Sequence, residues 1–237
     1  MKRSLLLMLV VASIGSVFSS CKKNSTSYNT NPATGTQMDY QLVATNLSYS
    51  VTPATPGLTC SLVWTSGFAN PDVVVFQATQ KNLQVQLKST NTQQIDVMSS
   101  LAVDFGTFAL PAGFYDKTSL KMDLDRNGAS PSFELNGQFT NGATSVPVML
   151  EINDPVVIQT DQDSVTISND SSYDAVTTLD LSTVTSGITA SMLLNAQLTN
   201  GTIVISDMSN RKLYDMVLDD LNQHPWHCWF HHHGHGG

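Results

Sequence analysis

Between Met38 and Ile205 apolar residues recur at every second position, and this period of two restricts the fold more than any other feature. Leu83, Val85 and Leu87 alternate with Gln84, Gln86 and Lys88, and Leu120, Met122 and Leu124 with Lys121 and Asp123. Val146, Val148, Leu150 and Ile152 alternate with Pro147, Met149 and Glu151. Successive side chains of a strand point to opposite faces, so each run has one apolar and one wetted face, as in antiparallel sheets. Further runs cover 40–51, 58–65, 72–79, 132–139, 156–160, 164–168 and 177–181. Turn-forming residues punctuate them: Pro53, Pro56-Gly57, Asn70-Pro71, Pro111-Ala112-Gly113, Arg126-Asn127-Gly128, Asn136-Gly137, Asn141-Gly142 and Asn200-Gly201. Many short strands at this spacing predict an all-β chain, an antiparallel β-sandwich with one or two short helices near its C-terminus. No strand–helix rhythm occurs, which argues against a doubly wound nucleotide-binding sheet.

The helices are expected where the period changes. Leu213, Tyr214, Val217, Leu218 and Leu221 form one stripe at helical spacing, predicting a helix over 210–221 that faces the sandwich. Ser206, Asp207 and Ser209 are candidate caps. A second short helix is expected over 191–198. With no internal repeat, 37–222 is expected to be one domain.

Charge narrows the partners. Only 13% of residues are charged, about half the usual fraction, whereas 41% are hydrophobic, enough for a sizeable core. Eleven Lys and Arg against nineteen Asp and Glu give a net charge of −8. A phosphate backbone is bound by clustered positive charge, so nucleic acid is not an expected partner.

The N-terminus carries an address. Lys2 and Arg3 precede an apolar run from Leu5 to Val11 and then small residues to Ser20. This is the layout of a secretory signal peptide over 1–20, and the run is too short to span a bilayer. Val17-Phe18-Ser19-Ser20-Cys21 resembles a bacterial lipobox. The resemblance implies that Cys21 becomes the lipidated N-terminus of the mature chain, a membrane anchor. Cleavage there removes two basic residues and no acidic one, taking the net charge from −8 to −10. Acyl chains contribute about 0.8 kcal/mol per buried methylene, so several on one cysteine hold the protein on the membrane. Lys22 stands where Asp would resemble an inner-membrane retention signal, which implies an outer-membrane lipoprotein. The stretch 22–26 lacks the acidic cluster that resembles a surface-export signal, and the leaflet stays open. Residues 21–36, rich in Asn, Ser and Thr, are expected to be a flexible tether.

Three stretches also resemble a set of uncharacterised Bacteroidota β-sandwich lipoproteins. They are Val63-Trp64-Thr65-Ser66-Gly67, Leu110-Pro111-Ala112-Gly113-Phe114-Tyr115 and 200–206 ahead of the last helix. The resemblance implies an envelope β-sandwich over roughly 40–222 and supplies no activity.

Two candidate ion sites stand out. Asp123, Asp125, Asn127, Gly128 and Glu134 satisfy the D-x-D-x-N-G-x5-E pattern of a calcium loop. The flanks alternate with period two, however, so a hairpin with an Arg-Asn-Gly tip is the competing expectation. All six histidines, His224, His227, His231, His232, His233 and His235, fall with Cys228 in the last fourteen residues. Imidazole and thiolate suit zinc, copper or nickel, none of them required for folding the body. The tail over 223–237 is expected to lack secondary structure and to become ordered when an ion joins His227, Cys228 and His231, with another histidine completing the shell. Cys60 and Cys228 are expected to remain unpaired thiols.

Without the tail there is no histidine, so a Ser-His-Asp triad or a histidine acid–base pair in the body is excluded. No G-x-S-x-G, Walker or H-E-x-x-H pattern occurs. The expectation is a non-enzymatic binding or scaffolding lipoprotein whose partner is another envelope component, a protein or a glycan. The alternatives are a metal-binding lipoprotein acting through its tail, and a carbohydrate-binding module that stacks glycan on Trp64, Phe68 and Tyr115.

Overall fold

The computed structural model describes residues 36–51, 59–80, 83–90, 93–99, 103–168, 171–223 and 226–234. In chain order the first strands are β1 (Thr36–Thr45), β2 (Ser48–Ser50), β3 (Cys60–Ala69), β4 (Pro71–Gln80), β5 (Leu83–Ser89), β6 (Ile95–Asp96) and β7 (Val103–Leu110). Then come β8 (Gly113–Leu124), β9 (Phe133–Asn141), β10 (Thr144–Ile152), β11 (Val156–Ile167) and β12 (Ser171–Asp180). Helices α1 (Leu181–Val184) and α2 (Ala190–Leu194) precede β13 (Leu198–Thr199), β14 (Thr202–Ile205), α3 (Arg211–Gln223) and β15 (Trp226–Gly234).

The strands make three sheets, mainly antiparallel. The first runs β15-β12-β1-β7, and the third runs β11-β8-β4-β5. Because β11 touches β15 and β5 touches β7, these two lie face to face as a sandwich. The second sheet runs β13-β14-β10-β9-β3-β2, with β6 against β3. Helix α3 covers β10 and β14, and α1 touches α3, β1 and β2. This is the all-β, sandwich-like fold that the alternation predicts.

Three crossings join the second sheet to the third: Asn70 between β3 and β4, 125–132 between β8 and β9, and 153–155 between β10 and β11. Two buried polar residues hold them together. The Asn70 backbone N–H donates to the Ser132 carbonyl at 2.9 Å, and its carbonyl accepts from Asp125 N at 3.0 Å. Asn70 Nδ2 donates to the Pro131 carbonyl at 2.6 Å and to Ser130 Oγ at 2.9 Å. Ser132 Oγ reaches the third crossing, lying 2.8 Å from the Ile152 carbonyl and 2.7 Å from that of Asp154. Buried backbone groups need partners, and here two short side chains supply them.

The chain comes in at one end and the helices occupy the other. Thr36 opens β1 opposite Leu110, three residues before β8 starts at Gly113. β8 then runs away to Leu124, at the Asn70 junction, beyond which the second sheet lies. β12 runs parallel to β1 and ends at Asp180, whose carboxylate accepts from Ser182 N at 2.9 Å and caps α1.

Several local expectations are corrected. Asn136-Gly137 is no turn but the middle of β9, with Gly137 opposite Trp64. A Cβ on Gly137 would stand 2.3 Å from the Val63 carbonyl, so glycine is required by a neighbouring strand. Runs 156–160 and 164–168 merge into the single strand β11. Leu181 begins α1 instead of ending a strand. The residue that starts α3 is Asn210 (φ 52°), not one of the three expected caps. Its side chain is fixed by Gln197 N, Gln197 O and Val204 O at 2.8–2.9 Å. Ser206 shapes the preceding turn, its Oγ accepting from Ser209 N at 3.1 Å. Leu213, Tyr214, Val217 and Leu221 are buried, as the stripe requires.

Candidate functional site

The acidic loop does not gather its ligands. Asp123 stands on β8 in the third sheet and Glu134 on β9 in the second, so 125–132 is a crossover. It is neither a loop between helices nor a hairpin. Asp123 pairs with Lys121 Nζ at 2.8 Å, and Asp125 Oδ1 accepts from Arg126 N at 2.7 Å. Glu134 Oε1 accepts from Asn136 Nδ2 at 2.7 Å, while Asn127 and Ser130 exchange backbone bonds at 3.0 and 3.1 Å. Gly128 alone in the Arg-Asn-Gly tip takes positive φ, 62°. Among the described residues no group of three or more His, Cys, Asp or Glu converges.

The aromatic platform is absent as well. Trp64 and Tyr115 belong to the core, and the Tyr115 hydroxyl donates to the Pro111 carbonyl at 2.7 Å. Burial pushes the Tyr115 phenol above its ordinary pKa. Neither ring can stack on a sugar.

The tail differs most from expectation: residues 226–234 form a strand, not a structureless end. β15 pairs antiparallel with β12 from Trp226 opposite Leu179 to Gly234 opposite Ser171. It extends the first sheet because β12 otherwise leaves a row of backbone donors and acceptors open. Trp226 Nε1 donates to the Leu221 carbonyl at 2.7 Å, tying the strand to the end of α3. His227 and Trp229 are exposed. An extended backbone rises about 3.3 Å per residue, so positions 227 and 231 stand about 13 Å apart and adjacent positions 227 and 228 alternate in face. Of the expected trio, only His227 has a described side chain; those of Cys228 and His231, like those of His232 and His233, lie outside the described ones. His224 and His235 lie outside the described residues, as do the signal segment, Cys21 and the tether up to residue 35. Cys60 is a buried free thiol whose Sγ lies 3.1 Å from Asn141 Oδ1.

The far end of the body carries the feature most suited to binding. A groove of about 300 Å³ lies between α2 and the start of α3, lined by Met192, Asn195 and Ala196 from one segment and Asn210, Arg211, Lys212 and Leu213 from the other. Leu194 and Leu198 beside it are half exposed, and Met208 on the turn into α3 is 89% exposed. Arg211 is held from two sides, 2.7 Å from Asp215 Oδ1 and with its guanidinium 5.2 Å from the Tyr214 ring centre. The hydrogen bond that Arg211 donates to the Asp215 carboxylate pushes the Arg211 pKa up. Two separate segments, 192–196 and 210–213, meet here, so the sequence pattern gives no sign of the groove. A second, more polar cleft of about 500 Å³ is lined by Val157, Gln159, Asn222, Gln223 and Trp226.

Carboxylates with perturbed pKa values do structural work. Asp161 is held below its ordinary value chiefly by the hydrogen bond from Lys117 at 2.9 Å. At Asp180 burial pushes upward, but the bonds from Ser182 and its neighbours prevail and lower the pKa. Comparison with protein-family models, with curated proteins and with solved structures gives no match, so the residues alone carry the functional reading.

Proposed function

We propose that the chain is a lipid-anchored protein of the cell envelope, held on the outer membrane through Cys21, whose β-body binds another envelope protein without catalysing a reaction. The anchor rests on the sequence from Lys2 to Cys21. The binding role rests on one observation: the groove at the α2–α3 end, with Leu194, Leu198 and Met208 exposed on the chain segments that adjoin it. Exposed apolar side chains favour a protein partner, because covering them removes apolar surface from water. The groove lies at the end opposite Thr36, hence away from a membrane reached through Cys21 and the tether. A partner that presents apolar side chains flanked by a carboxylate would complement exposed Lys212 in the groove's lining.

Two measurements test the two halves separately. Labelled palmitate fed to cells should appear in the unmodified chain and vanish in Cys21→Ser; label retained in that variant would refute the anchor. A photoreactive residue in place of Met208 should give one discrete adduct, whereas the same residue at exposed Lys88 should give none. Equal labelling at both positions would refute the groove as the docking surface.

A further inference from the structure

We propose that the cleft between β11, the end of α3 and the start of β15 is a binding site for a neutral oligosaccharide. Five described residues line its volume of about 500 Å³: Val157, Gln159, Asn222, Gln223 and Trp226. Sites for small molecules run from about 300 to 1,000 Å³, so the space suits one. Val157 and Gln159 face outward from β11, since Val156, Ile158 and Thr160 beside them are buried. Asn222 and Gln223 are exposed in the last turn of α3. Trp226 opens β15 opposite Leu179. Its ring is partly exposed and packs against the core, and its Nε1 donates to the Leu221 carbonyl at 2.7 Å. Asn222 is held as well, its Nδ2 donating to the Leu218 carbonyl at 2.9 Å. Two lining side chains are therefore set before any ligand arrives, which lowers the ordering cost of binding.

The lining selects the class of ligand. None of the five residues carries a charge, and the next outward residue on β11, Asp161, is paired with Lys117 at 2.9 Å. A phosphate or carboxylate group would meet no cation among the described lining residues. A wholly apolar ligand would strip water from three amides and return no hydrogen bond. A sugar does neither. Each amide has donors and an acceptor, and so does each hydroxyl, so Gln159, Asn222 and Gln223 can exchange bonds with the rim of a pyranose. Nδ2 of Asn222 carries two protons and uses one at Leu218. The C–H face of the same ring can be covered by Val157, 42% exposed, and by the Trp226 indole. An α-helix rises 1.5 Å per residue, so Gln223 lies about 18 Å along α3 from Arg211. Cleft and groove thus stand at opposite ends of that helix, and both can be filled at once. The site depends neither on the groove nor on lipidation.

Saturation-transfer NMR of the full chain tests the site. The probes are cello-, malto-, xylo- and N-acetylchito-oligosaccharides at millimolar concentration, with oligogalacturonate and heparin fragments as acidic controls. At least one neutral series should show transfer, and the acidic ones none. Gln159→Ala and Asn222→Ala, both at exposed positions, should each weaken binding of that oligosaccharide about 3–10-fold, the worth of one hydrogen bond. Asn195→Ala, which removes an exposed amide of the groove, should leave the affinity unchanged. Binding should also shift the tryptophan emission in Trp229→Phe as in the unmodified chain, but not in Trp226→Phe. Circular dichroism of each variant checks folding. Transfer to the acidic controls alone, or to no probe, would overturn the proposal. So would an affinity unchanged in both Gln159→Ala and Asn222→Ala, or an equal loss in Asn195→Ala. A photoreactive residue at position 159 that captures one discrete protein in cells would give the cleft to a protein partner and overturn the glycan reading; the same result at position 208 bears on the groove alone.

Discussion

The phenol of Tyr214 on α3 donates to Asp154 Oδ2 at 2.7 Å and accepts from the Asp154 backbone N–H at 3.3 Å. Asp154 lies in the crossing from β10 to β11, whose neighbouring carbonyls are held by Ser132. One buried ring thus fastens the last helix to the junction of two sheets. Burial, and then the hydrogen bond to Asp154, push the Tyr214 hydroxyl up to about 12.

Tyr214→Phe keeps the ring and removes both bonds. A hydrogen bond to a charged group contributes about 1.5–3 kcal/mol net, so urea unfolding should show a loss of about that size. The raised pKa also sets a pH window. The protonated phenol is the form favoured by folding, so its contribution is whole below the unfolded value of about 10 and fades as pH rises towards about 12. Stability of the unmodified chain should therefore fall across that range, less steeply in Tyr214→Phe. Parallel curves for the two proteins would refute this coupling.

Asn70→Ala should cost more than an ordinary surface change. It leaves the Pro131 carbonyl, now 2.6 Å from Asn70 Nδ2, buried without that donor, and it frees Ser130 Oγ. An orphaned buried acceptor costs about 1–3 kcal/mol. Asn70→Asp, which replaces the donating amide by an acceptor, should be no better. If chemical denaturation finds Asn70→Asp as stable as the unmodified chain, Nδ2 is not the group that holds the junction.

Two glycines make a matched test. Gly137→Ala would place a methyl 2.3 Å from the Val63 carbonyl and 2.8 Å from the Trp64 ring, and a backbone atom in mid-sheet cannot retreat. Overpacking of this kind costs about 1–3 kcal/mol, and the upper end is expected here. Gly128→Ala meets nothing within 4 Å, and only its φ of 62° is strained, at about 1–2 kcal/mol. Melting temperatures should fall further for Gly137→Ala; the reverse order would refute the close approach of Trp64.

These cases mark what the sequence can and cannot convey. Strands such as β8 and β10 are readable because one face of each is buried, and burial imposes period two on the residues themselves. Helix α3 is readable for the same reason at period 3.6. Asn136-Gly137 misleads because the dipeptide that favours a turn also suits a strand crossed by an indole, and that indole comes from β3, far away in the chain. The donors of the tail are visible in composition, but the pairing of 226–234 with β12 is a tertiary fact that composition does not carry. The groove beside Lys212 joins α2, the turn before α3 and α3 itself, so no local pattern announces it.

Truncation after Gln223 should weaken the body, although the sequence alone suggests a dispensable end. β15 covers β12 over nine opposed pairs, from Ser171–Gly234 to Leu179–Trp226. Without it, β12 becomes the edge of the first sheet and presents an open row of backbone groups. Such edges pair with other chains, so the truncated protein should self-associate. Trp226 also leaves: its partly buried ring packs against the core, and its Nε1 satisfies the Leu221 carbonyl at the end of α3. Losing a large apolar contact of this kind costs about 1.5–3 kcal/mol before any backbone bond is counted. Urea midpoints and size-exclusion chromatography should therefore show lower stability and larger species, and Trp226→Ala should reproduce part of the first effect without the second. A truncated chain that stays monomeric with an unchanged midpoint would show that β15 is not part of the folded sheet.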